Sequence, residues 1–235
     1  MKKKSRILIY TFVIVGMFLM LMSSCKKDED EDKKDYTVFD IDGNGYTTVT
    51  IGTQVWMVEN LKTTKYRDGS AIPNAIDNQA WLNSTAGAYC NYNNDANYSK
   101  IYGRLYNWYA VNNSRNIAPT GWHVATDDDW MQLTGYLGGE SVSDGKLKEI
   151  GTTHWSSPNT GATNETGFTA LPGGQRTADG AFHFIGVIGI YWSTAYSGPN
   201  AYLWSMQYDA SYVFSAYADK RCGHSVRCVR DQPAP

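Results

Sequence analysis

The fold is organised around residues 103–137, which read GRLYNWYAVNNSRNIAPTGWHVATDDDWMQLTGYL. Apolar residues recur at helical spacing on each side of a Pro-Thr-Gly-Trp turn: Ile101, Leu105, Trp108 and Tyr109 before it, and Trp130, Leu133 and Leu137 after it. Each segment therefore has one face to bury. Short, aromatic, strand-like segments follow. The sequence predicts an α+β fold in which two helices pack on an irregular antiparallel sheet with long loops.

The second of these helices has clear boundaries. Thr126 or Asp127 can cap its start, and the acidic run Asp127–Asp129 places negative charge at the positive end of the helix dipole. Gly138 and Gly139 are typical of a helix end. The acidic run could instead be a metal or catalytic cluster, but three consecutive helical positions point in three directions. The pattern therefore favours capping.

Residues 36–62 predict a β-hairpin and a further strand, because Asp-Gly and Asn-Gly dipeptides separate β-branched runs. Asp40, Asp42 and Asn44 also match the opening of a calcium-binding loop, where oxygens alternate along the chain. The twelfth position is Ile51 rather than a bidentate Glu. A turn is favoured, with a weak calcium site as the alternative.

Residues 65–99 are rich in Asn, Asp, Ser and Gly, with aromatic residues interleaved, and predict a long packed loop with a helical turn near 77–82. Residues 181–230 predict strands. In AYLWSMQY (201–208), large residues alternate with smaller ones, as in a half-buried strand. The alternating large residues, predicted to lie in the core, are Tyr202, Trp204, Met206 and Tyr208.

Polar and aromatic side chains are concentrated in a Gly- and Thr-rich passage at 146–176, the type of loop on which binding residues are usually displayed. Trp192 and Tyr196, near a Ser-Gly-Pro turn, are further candidates for exposure. The candidate ligand-binding residues are Trp155, Asn159, Asn164, Glu165, Arg176, Trp192 and Tyr196. The alternative is that the polar members satisfy the backbone of an irregular buried loop.

Cysteine usage leaves the disulfide pairing open. After Cys25, the chain has Cys90, Cys222 and Cys228, so one thiol remains free whatever pairs. Cys222 with Cys228 would close a small loop and is slightly favoured. Cys90 with Cys228 would tie the long loop to the last strand and constrain the unfolded chain more.

The N-terminus predicts export. A basic start, MKKKSR, precedes an apolar run over 7–22 that is too short to span a bilayer, followed by Ser-Ser and Cys25. The ending LMSSC resembles a bacterial lipobox, so residues 1–25 are predicted to be a lipoprotein signal with Cys25 as the acylated residue. Ordinary signal-peptidase cleavage is the alternative. Acyl chains would then be the protein's sole membrane attachment.

Residues 26–35, KKDEDEDKKD, predict an extended, solvated tether. The start at Lys27 resembles the lysine-plus-acids signal of Bacteroidetes lipoproteins displayed on the outer face of the outer membrane; a periplasm-facing anchor is the alternative. Removing residues 1–25 takes away four of the 21 basic residues and none of the 23 acidic ones, giving a net charge of about −6. Nucleic acid is therefore not expected as a partner.

Eight segments in order resemble the Fibrobacter succinogenes major paralogous domain family, over roughly residues 39–231. They are IGTQVWMVENLK, AYCNYNNDA, YGRLYNWYAV, APTGWHVATDDDW, YLGG, GATNETGFTALPGG, YWSTAY and GHSVRCVRD. The resemblance implies a lipoprotein with a surface or periplasmic location. By a more distant similarity, it also implies a C-type-lectin-like fold for a single domain over 36–235.

GWHVATDDDW and SVRCVRD also look like segments of the formylglycine-generating enzyme group. That resemblance does not carry the activity, because Cys228 lies within the closing strand and Cys222 has no matched partner. The lectin calcium signature is absent. Many family members have a cysteine just before the Pro-x-Gly-Trp turn, where this chain has Ala118, so the resemblance does not supply the family's disulfide to Cys228.

These features favour a tethered, non-catalytic module that binds a glycan or an envelope protein, without a required cofactor. A sugar-binding surface of this kind would expose Trp155 or Trp192 beside a groove. A structural or assembly role in the envelope is the alternative. A carbohydrate-active enzyme is less favoured, because the sequence has no Ser-His-Asp ordering, zinc spacing or phosphate loop. Two carboxyl groups facing each other in a cleft would favour a glycosidase.

Overall fold

The computed structural model describes residues 35–232. The predicted signal, Cys25 and all but the last residue of the tether lie outside that range. Within it, no helix is both long enough and apolar enough to cross a membrane. The described residues form an α+β fold with several antiparallel sheets and a few short helices.

The strands in chain order are β1 (Val38–Phe39), β2 (Gly45–Tyr46), β3 (Thr48–Ile51), β4 (Gln54–Met57), β5 (Tyr89–Cys90), β6 (Leu105–Asn107), β7 (Trp122–Val124), β8 (Gly173–Arg176), β9 (Phe182–Ile185), β10 (Ile188–Ser197), β11 (Asn200–Gln207), β12 (Phe214–Asp219), β13 (Gly223–His224) and β14 (Cys228–Arg230). The α-helices are α1 (Asn78–Leu82), α2 (Ala96–Tyr102), α3 (Trp108–Val111), α4 (Asp127–Tyr136) and α5 (Glu140–Leu147). A 3-10 turn spans Tyr92–Asn94.

The strands form one hairpin and three larger sheets. β1 pairs with β2; the larger sheets have the orders β3-β4-β14-β7, β5-β6-β13-β8-β9 and β10-β11-β12. The predicted N-terminal hairpin and the C-terminal strands are therefore confirmed. β14 lies between β4 and β7, so the last strand joins the N-terminal part of the domain to the strand that precedes α4.

Helix α4 is confirmed with its predicted cap. The Thr126 hydroxyl accepts a hydrogen bond from the Asp129 backbone N–H, and the Asp129 carboxylate accepts one from the Thr126 backbone N–H. This reciprocal pair is a capping box. The helix ends at Tyr136, and Gly138 and Gly139 follow with positive φ. Helix α5, which has little apolar periodicity, was not predicted.

The first predicted helix is wrong as a continuous element. Helix α2 ends at Tyr102, and Gly103, with φ +74°, turns the chain so tightly against Asn60 that a side chain there would clash. The chain then pairs as β6 with β5 and β13 before α3 begins. Ile101 is exposed, whereas Leu105 and Trp108 are buried. Tertiary pairing thus overrides the helical spacing.

Two of the three clusters that form the core of the described residues lie on opposite faces of β10 and β11. Tyr191 pairs with Trp204 and faces one cluster, and Trp192 pairs with Leu203 and faces the other. The prediction that Trp204 and Met206 are core is confirmed; Tyr202 and Tyr208 are half-buried. In the loop at 65–99, α1 forms with Asp77 as its cap. The buried aromatic side chains of this loop are Tyr66, Trp81, Tyr89 and Tyr92.

Candidate functional site

Both tryptophans proposed as binding residues belong to the core, so the expectation that they are exposed is wrong. The Trp155 indole N–H donates to the Ala170 carbonyl at 2.9 Å. The Trp192 indole donates to the Tyr106 carbonyl at 2.8 Å. Both side chains are fully buried. Each satisfies its single polar atom internally and supplies a large apolar surface to the interior, as buried tryptophan does.

Asn159 and Arg176 serve the backbone rather than a ligand. The Asn159 amide donates to the carbonyls of Glu149 and Gly151 at 2.8 and 2.6 Å. Buried Arg176 donates to the carbonyls of Ala75, Ile76 and Gly180 and to the Asn78 side chain. The alternative proposed for this loop, that its polar groups satisfy irregular buried backbone, is therefore correct at these two positions.

Tyr196 is 59% exposed, as predicted, but its inner face is already occupied. The Lys220 ammonium lies 4.1 Å from the Tyr196 ring centroid and 4.6 Å from that of Trp108. It also donates to the Gly198 carbonyl at 2.7 Å. This cation–π contact fixes the tip of the β10–β11 hairpin.

The loop at Asp40–Asn44 is a turn. Asp40 Oδ1 accepts from the backbone N–H groups of Asp42 and Asn44, both at 3.0 Å. Its Oδ2 accepts from the Tyr46 hydroxyl at 2.6 Å and the Asn44 amide at 2.8 Å. Asp42 binds the Thr64 hydroxyl at 2.8 Å and the Lys65 ammonium at 3.1 Å. Protein donors thus use the oxygens that calcium would need.

Within residues 35–232, no group of three or more His, Cys, Asp or Glu side chains could hold a metal ion.

The three cysteines of the described chain are free thiols, so neither predicted disulfide is formed. Cys90, Cys222 and Cys228 are all buried. Burial raises the pKa of Cys90 to about 12 and that of Cys222 to about 11, and it raises the pKa of Cys228 further. Protonated, inaccessible thiols behave as small apolar residues.

Asn164 and Glu165 lie in an exposed turn with separate roles. Asn164, at φ +47°, accepts from the Thr169 N–H at 2.9 Å, and its amide donates to the Thr169 hydroxyl at 2.9 Å. Asn164 therefore shapes the turn. The Glu165 side chain is exposed and lies 3.4 Å from the Lys146 ammonium. It borders an open cleft beside Tyr136.

This cleft, which we call the tyrosine cleft, is centred on Tyr136 at the end of α4. The ring is 67% exposed. On one side, a cavity of about 500 Å³ is lined by Ile51, Gly52, Thr53, Gln132 and Tyr136. On the other, a cavity of about 330 Å³ is lined by Thr50, Ile51, Gly52, Tyr136, Leu137, Glu165 and Thr166. The two cavities share Tyr136 and the Ile51–Gly52 backbone.

The β3–β4 turn forms one wall of the tyrosine cleft. Ile51 pairs with Gln54, so Gly52 and Thr53 make a two-residue turn with Gly52 at φ +61°. A Cβ on Gly52 would lie 3.0 Å from the Tyr136 ring. Glycine therefore both permits the turn and lets the ring lie against it.

Two glutamines hold that wall to α4. The Gln132 amide donates to the Thr53 hydroxyl at 2.7 Å. The Gln54 amide donates to Asp129 Oδ1 at 3.0 Å and to the Asp129 carbonyl at 3.2 Å. The wall of the cleft is thus fixed before any ligand arrives, which lowers the ordering cost of binding.

Asp129 also binds His123, the centre of a carboxylate–imidazole–carboxylate arrangement. His123 Nε2 lies 3.0 Å from Asp129 and Nδ1 lies 2.8 Å from Asp231. The hydrogen bond with Asp129 is the main cause that raises the pKa of His123; burial opposes it and Asp231 adds to it. Burial alone would raise the pKa of Asp129, but hydrogen bonds from His123 and Thr126 outweigh it and lower that pKa.

A second polar cavity, of about 310 Å³, borders His123 and is lined by Val111, Asn112, Asn113, Ser114, Asn116, Val124, Thr126 and Thr194. It has no aromatic residue in its lining except His123. Both His123 nitrogens are engaged by Asp129 and Asp231. The tyrosine cleft, with an exposed ring and unengaged polar atoms, is therefore the better candidate site.

Glu165 was predicted from the sequence, whereas Tyr136 and Gln132 were not. A signal was present: Trp130, Leu133 and Leu137 define the buried face of α4, which leaves Gln132 and Tyr136, four residues apart, together on its exposed side. The spacing of the buried residues thus identifies the α4 side chains that face solvent.

The structure is an α+β domain of short antiparallel sheets with an open aromatic cleft at one helix end. The family description Fibrobacter succinogenes major domain matches residues 49–230. The match covers most of the chain, and the chain belongs to this family, as its sequence segments predict. Comparisons with curated proteins and with solved structures found no match.

Proposed function

We propose that this protein is a non-catalytic glycan-binding module whose site is the tyrosine cleft. The observation that carries the proposal is the exposed Tyr136 ring, which lies between cavities edged by Thr53, Gln132 and Glu165. An aromatic face suits the C–H face of a sugar ring, and hydroxyl, amide and carboxylate groups suit its hydroxyls. A protein ligand in the envelope, or a purely structural role there, is the alternative.

The ionisable groups of the cleft favour binding over hydrolysis. Glycoside hydrolysis generally needs two carboxyl groups facing the bond to be cleaved. Among the described residues that line the tyrosine cleft, Glu165 is the one carboxylate, and Lys146 lies beside it. One exposed, ion-paired carboxylate is suited to accepting hydroxyl hydrogen bonds.

The proposed location is the outer membrane, with the domain facing the cell exterior and a periplasm-facing anchor as the alternative. The support lies in the sequence: a basic start, a short apolar run, Cys25 and an acidic tether. Within the signal region, residues 1–25, cleavage would fall before Cys25, whose thiol would carry the lipid. Residues 26–35 would be the spacer, and residues 36–235 the binding domain. The lipid would be the sole attachment to the membrane.

For the fold, we propose membership of the C-type-lectin-like class. The two segments that resemble the formylglycine-generating enzyme group lie at 121–130 and 225–231. The first segment forms β7 and the start of α4, and the second segment contains β14. Strands β7 and β14 pair directly, with Cys228 opposite Val124 and Val229 opposite His123. Calcium is not required by this proposal.

A glycan array and polysaccharide pull-down with lipid-free protein, residues 26–235, test the function. The screen is run with calcium and with chelator. We expect saturable binding that Tyr136→Ala abolishes and Tyr217→Ala preserves. Tyr217 is a matched control, because it is 68% exposed on β12 and lines neither cavity. Absence of binding to any glycan would shift the function to a protein ligand or a structural role.

A further inference from the structure

We infer that the tyrosine cleft binds an internal stretch of an uncharged polysaccharide, with one sugar on Tyr136 and a neighbouring sugar on each side. This inference rests on the proposed glycan-binding function and adds the class of glycan. It follows from the arrangement of the two cavities, from their openness to solvent and from the charge of their linings.

The two cavities are consecutive parts of one groove. They share Ile51, Gly52 and Tyr136, and the remaining residues of the two linings differ. Thr53 and Gln132 border one side of the ring, and Thr50 and Glu165 border the other. Their volumes, about 500 and 330 Å³, each fall within the range typical of small-ligand sites. A ligand that lies on the ring can therefore continue in both directions.

Solvent access distinguishes the interior of a chain from its end. Both cavities are open to solvent. A site that recognises a chain end needs a blocked wall at one side, whereas an open groove allows the chain to continue past it. Tyr136, at the common wall, then supplies the stacking surface for a central sugar ring.

The charge of the lining favours a neutral chain. Neither lining includes Lys or Arg among the described residues. The one acidic group is Glu165, with Lys146 at 3.4 Å as a partner outside the lining. A polyuronate or sulfated glycan would normally require basic side chains aimed at its anions. In the tyrosine cleft, the anionic groups of such a glycan would be repelled by the Glu165 carboxylate.

Each side of the ring has a side chain that can bind hydroxyl groups. The Gln132 amide uses one N–H on Thr53, which leaves a second N–H and the carbonyl oxygen. Glu165, being exposed, can accept from adjacent hydroxyls with its two oxygens. Thr166 contributes less, since its hydroxyl already donates to the Lys146 carbonyl and accepts from the Phe168 N–H.

Calorimetric titration tests the inference with the same lipid-free protein. The probes are cello-, xylo-, manno- and laminari-oligosaccharides of one to six sugars, with oligogalacturonates as the charged set. For the neutral series that binds, we expect affinity to rise about tenfold or more between one and three or four sugars and then to level off. Modification of either chain end of the longest probe should change affinity less than twofold.

Substitution of one residue on each side of the Tyr136 ring tests whether both sides bind sugar. Gln132→Ala and Glu165→Gln should each lower the affinity for the four-sugar probe by roughly five- to twentyfold. Both should leave single-sugar binding within about twofold. The control Glu140→Gln removes an exposed acid outside the cleft and should have no effect. Circular dichroism and thermal melts confirm that each variant is folded.

Two results would overturn the inference while leaving glycan binding intact: equal affinity for one and six sugars, or tighter binding of oligogalacturonate than of every neutral series. Binding of no probe of any length by folded wild-type protein would overturn the proposed function itself. The two failures are therefore distinguishable in one set of titrations.

Discussion

Asp129 accepts a hydrogen bond from the Gln54 side chain at 3.0 Å, across 75 residues of sequence. The same carboxylate completes the capping box of α4 and binds His123. One side chain thus connects the start of the helix that carries Tyr136 with the β3–β4 turn against which Tyr136 lies. The stability of the domain and the shape of the tyrosine cleft consequently share a determinant.

Replacement of Asp129 should test that connection. In Asp129→Asn, the carboxylate that accepts from Thr126, His123 and Gln54 is lost, and we expect a loss of about 1–3 kcal/mol in the free energy of unfolding. Urea denaturation measures it. Asp128→Asn is the matched control: it removes the same charge from an exposed neighbouring position and should cost less than about 1 kcal/mol. Equal losses would show that only the charge near the helix end matters.

The contribution of His123 to stability should fall as the pH rises past neutrality. The pKa of His123 is raised in the folded protein, so its contribution is complete below the ordinary histidine pKa of 6.5 and is lost as the pH rises through the folded value. The pKa of Asp129 is lowered, so its contribution is complete above about 3.8 and is lost as the pH falls through the folded value. Together, His123 and Asp129 contribute most to the free energy of unfolding at mildly acidic pH.

Urea midpoints at pH 5.5 and 8.5 check this pH dependence. The excess stability of wild type over His123→Gln, which can keep a hydrogen bond without titrating, should be larger at pH 5.5 than at pH 8.5. The variant comparison is needed because buried His224, whose pKa is lowered to about 3, shifts the stability of both proteins in the opposite direction. If the variant retains the full wild-type dependence, another group is responsible.

The buried tryptophans should behave as core residues. Trp192→Ala removes a fully buried side chain that donates to Tyr106 and lies edge-to-face with His224 at 4.3 Å, and we expect a loss of about 3–5 kcal/mol in stability. Thermal denaturation measures it. Tyr136→Ala, at an exposed position, should cost less than about 1 kcal/mol. A stable Trp192→Ala protein that has lost only ligand binding would restore Trp192 to the site.

Thiol titration should find three unreactive cysteines. In native lipid-free protein without Cys25, Cys90, Cys222 and Cys228 should react with a thiol reagent far more slowly than free cysteine, because they are buried and their pKa values are raised. Denaturant should expose all three without any reductant. Recovery of only one thiol under denaturing, non-reducing conditions would demonstrate a disulfide.

The elements that could be predicted from sequence are those with local causes. Thr126, the acidic run and the two glycines after it define α4 within a few positions, and the Asp-Gly and Asn-Gly turns define the N-terminal hairpin. The alternation in AYLWSMQY identifies β11 because its period reflects the strand itself.

The elements that could not be predicted depend on distant partners. Leu105 fits a helical pattern but pairs in β6, since Gly103 turns the chain against Asn60. Whether Trp155 and Trp192 are exposed depends on carbonyls that lie 15 and 86 residues away. For the candidate site, the turn with Glu165 was visible locally, whereas its proximity to Tyr136 arises only when β3, β4 and α4 pack together.

The assignment of the binding site to Tyr136 can be checked in one measurement: the affinity of lipid-free protein for its best neutral oligosaccharide, determined by calorimetry for wild type, Tyr136→Ala and Tyr217→Ala. This assignment requires at least about a hundredfold loss of affinity for Tyr136→Ala, with a fall in melting temperature of no more than about 4 °C, and an unchanged affinity for Tyr217→Ala. Undiminished binding by a folded Tyr136→Ala protein would contradict it and place the binding site elsewhere on the domain.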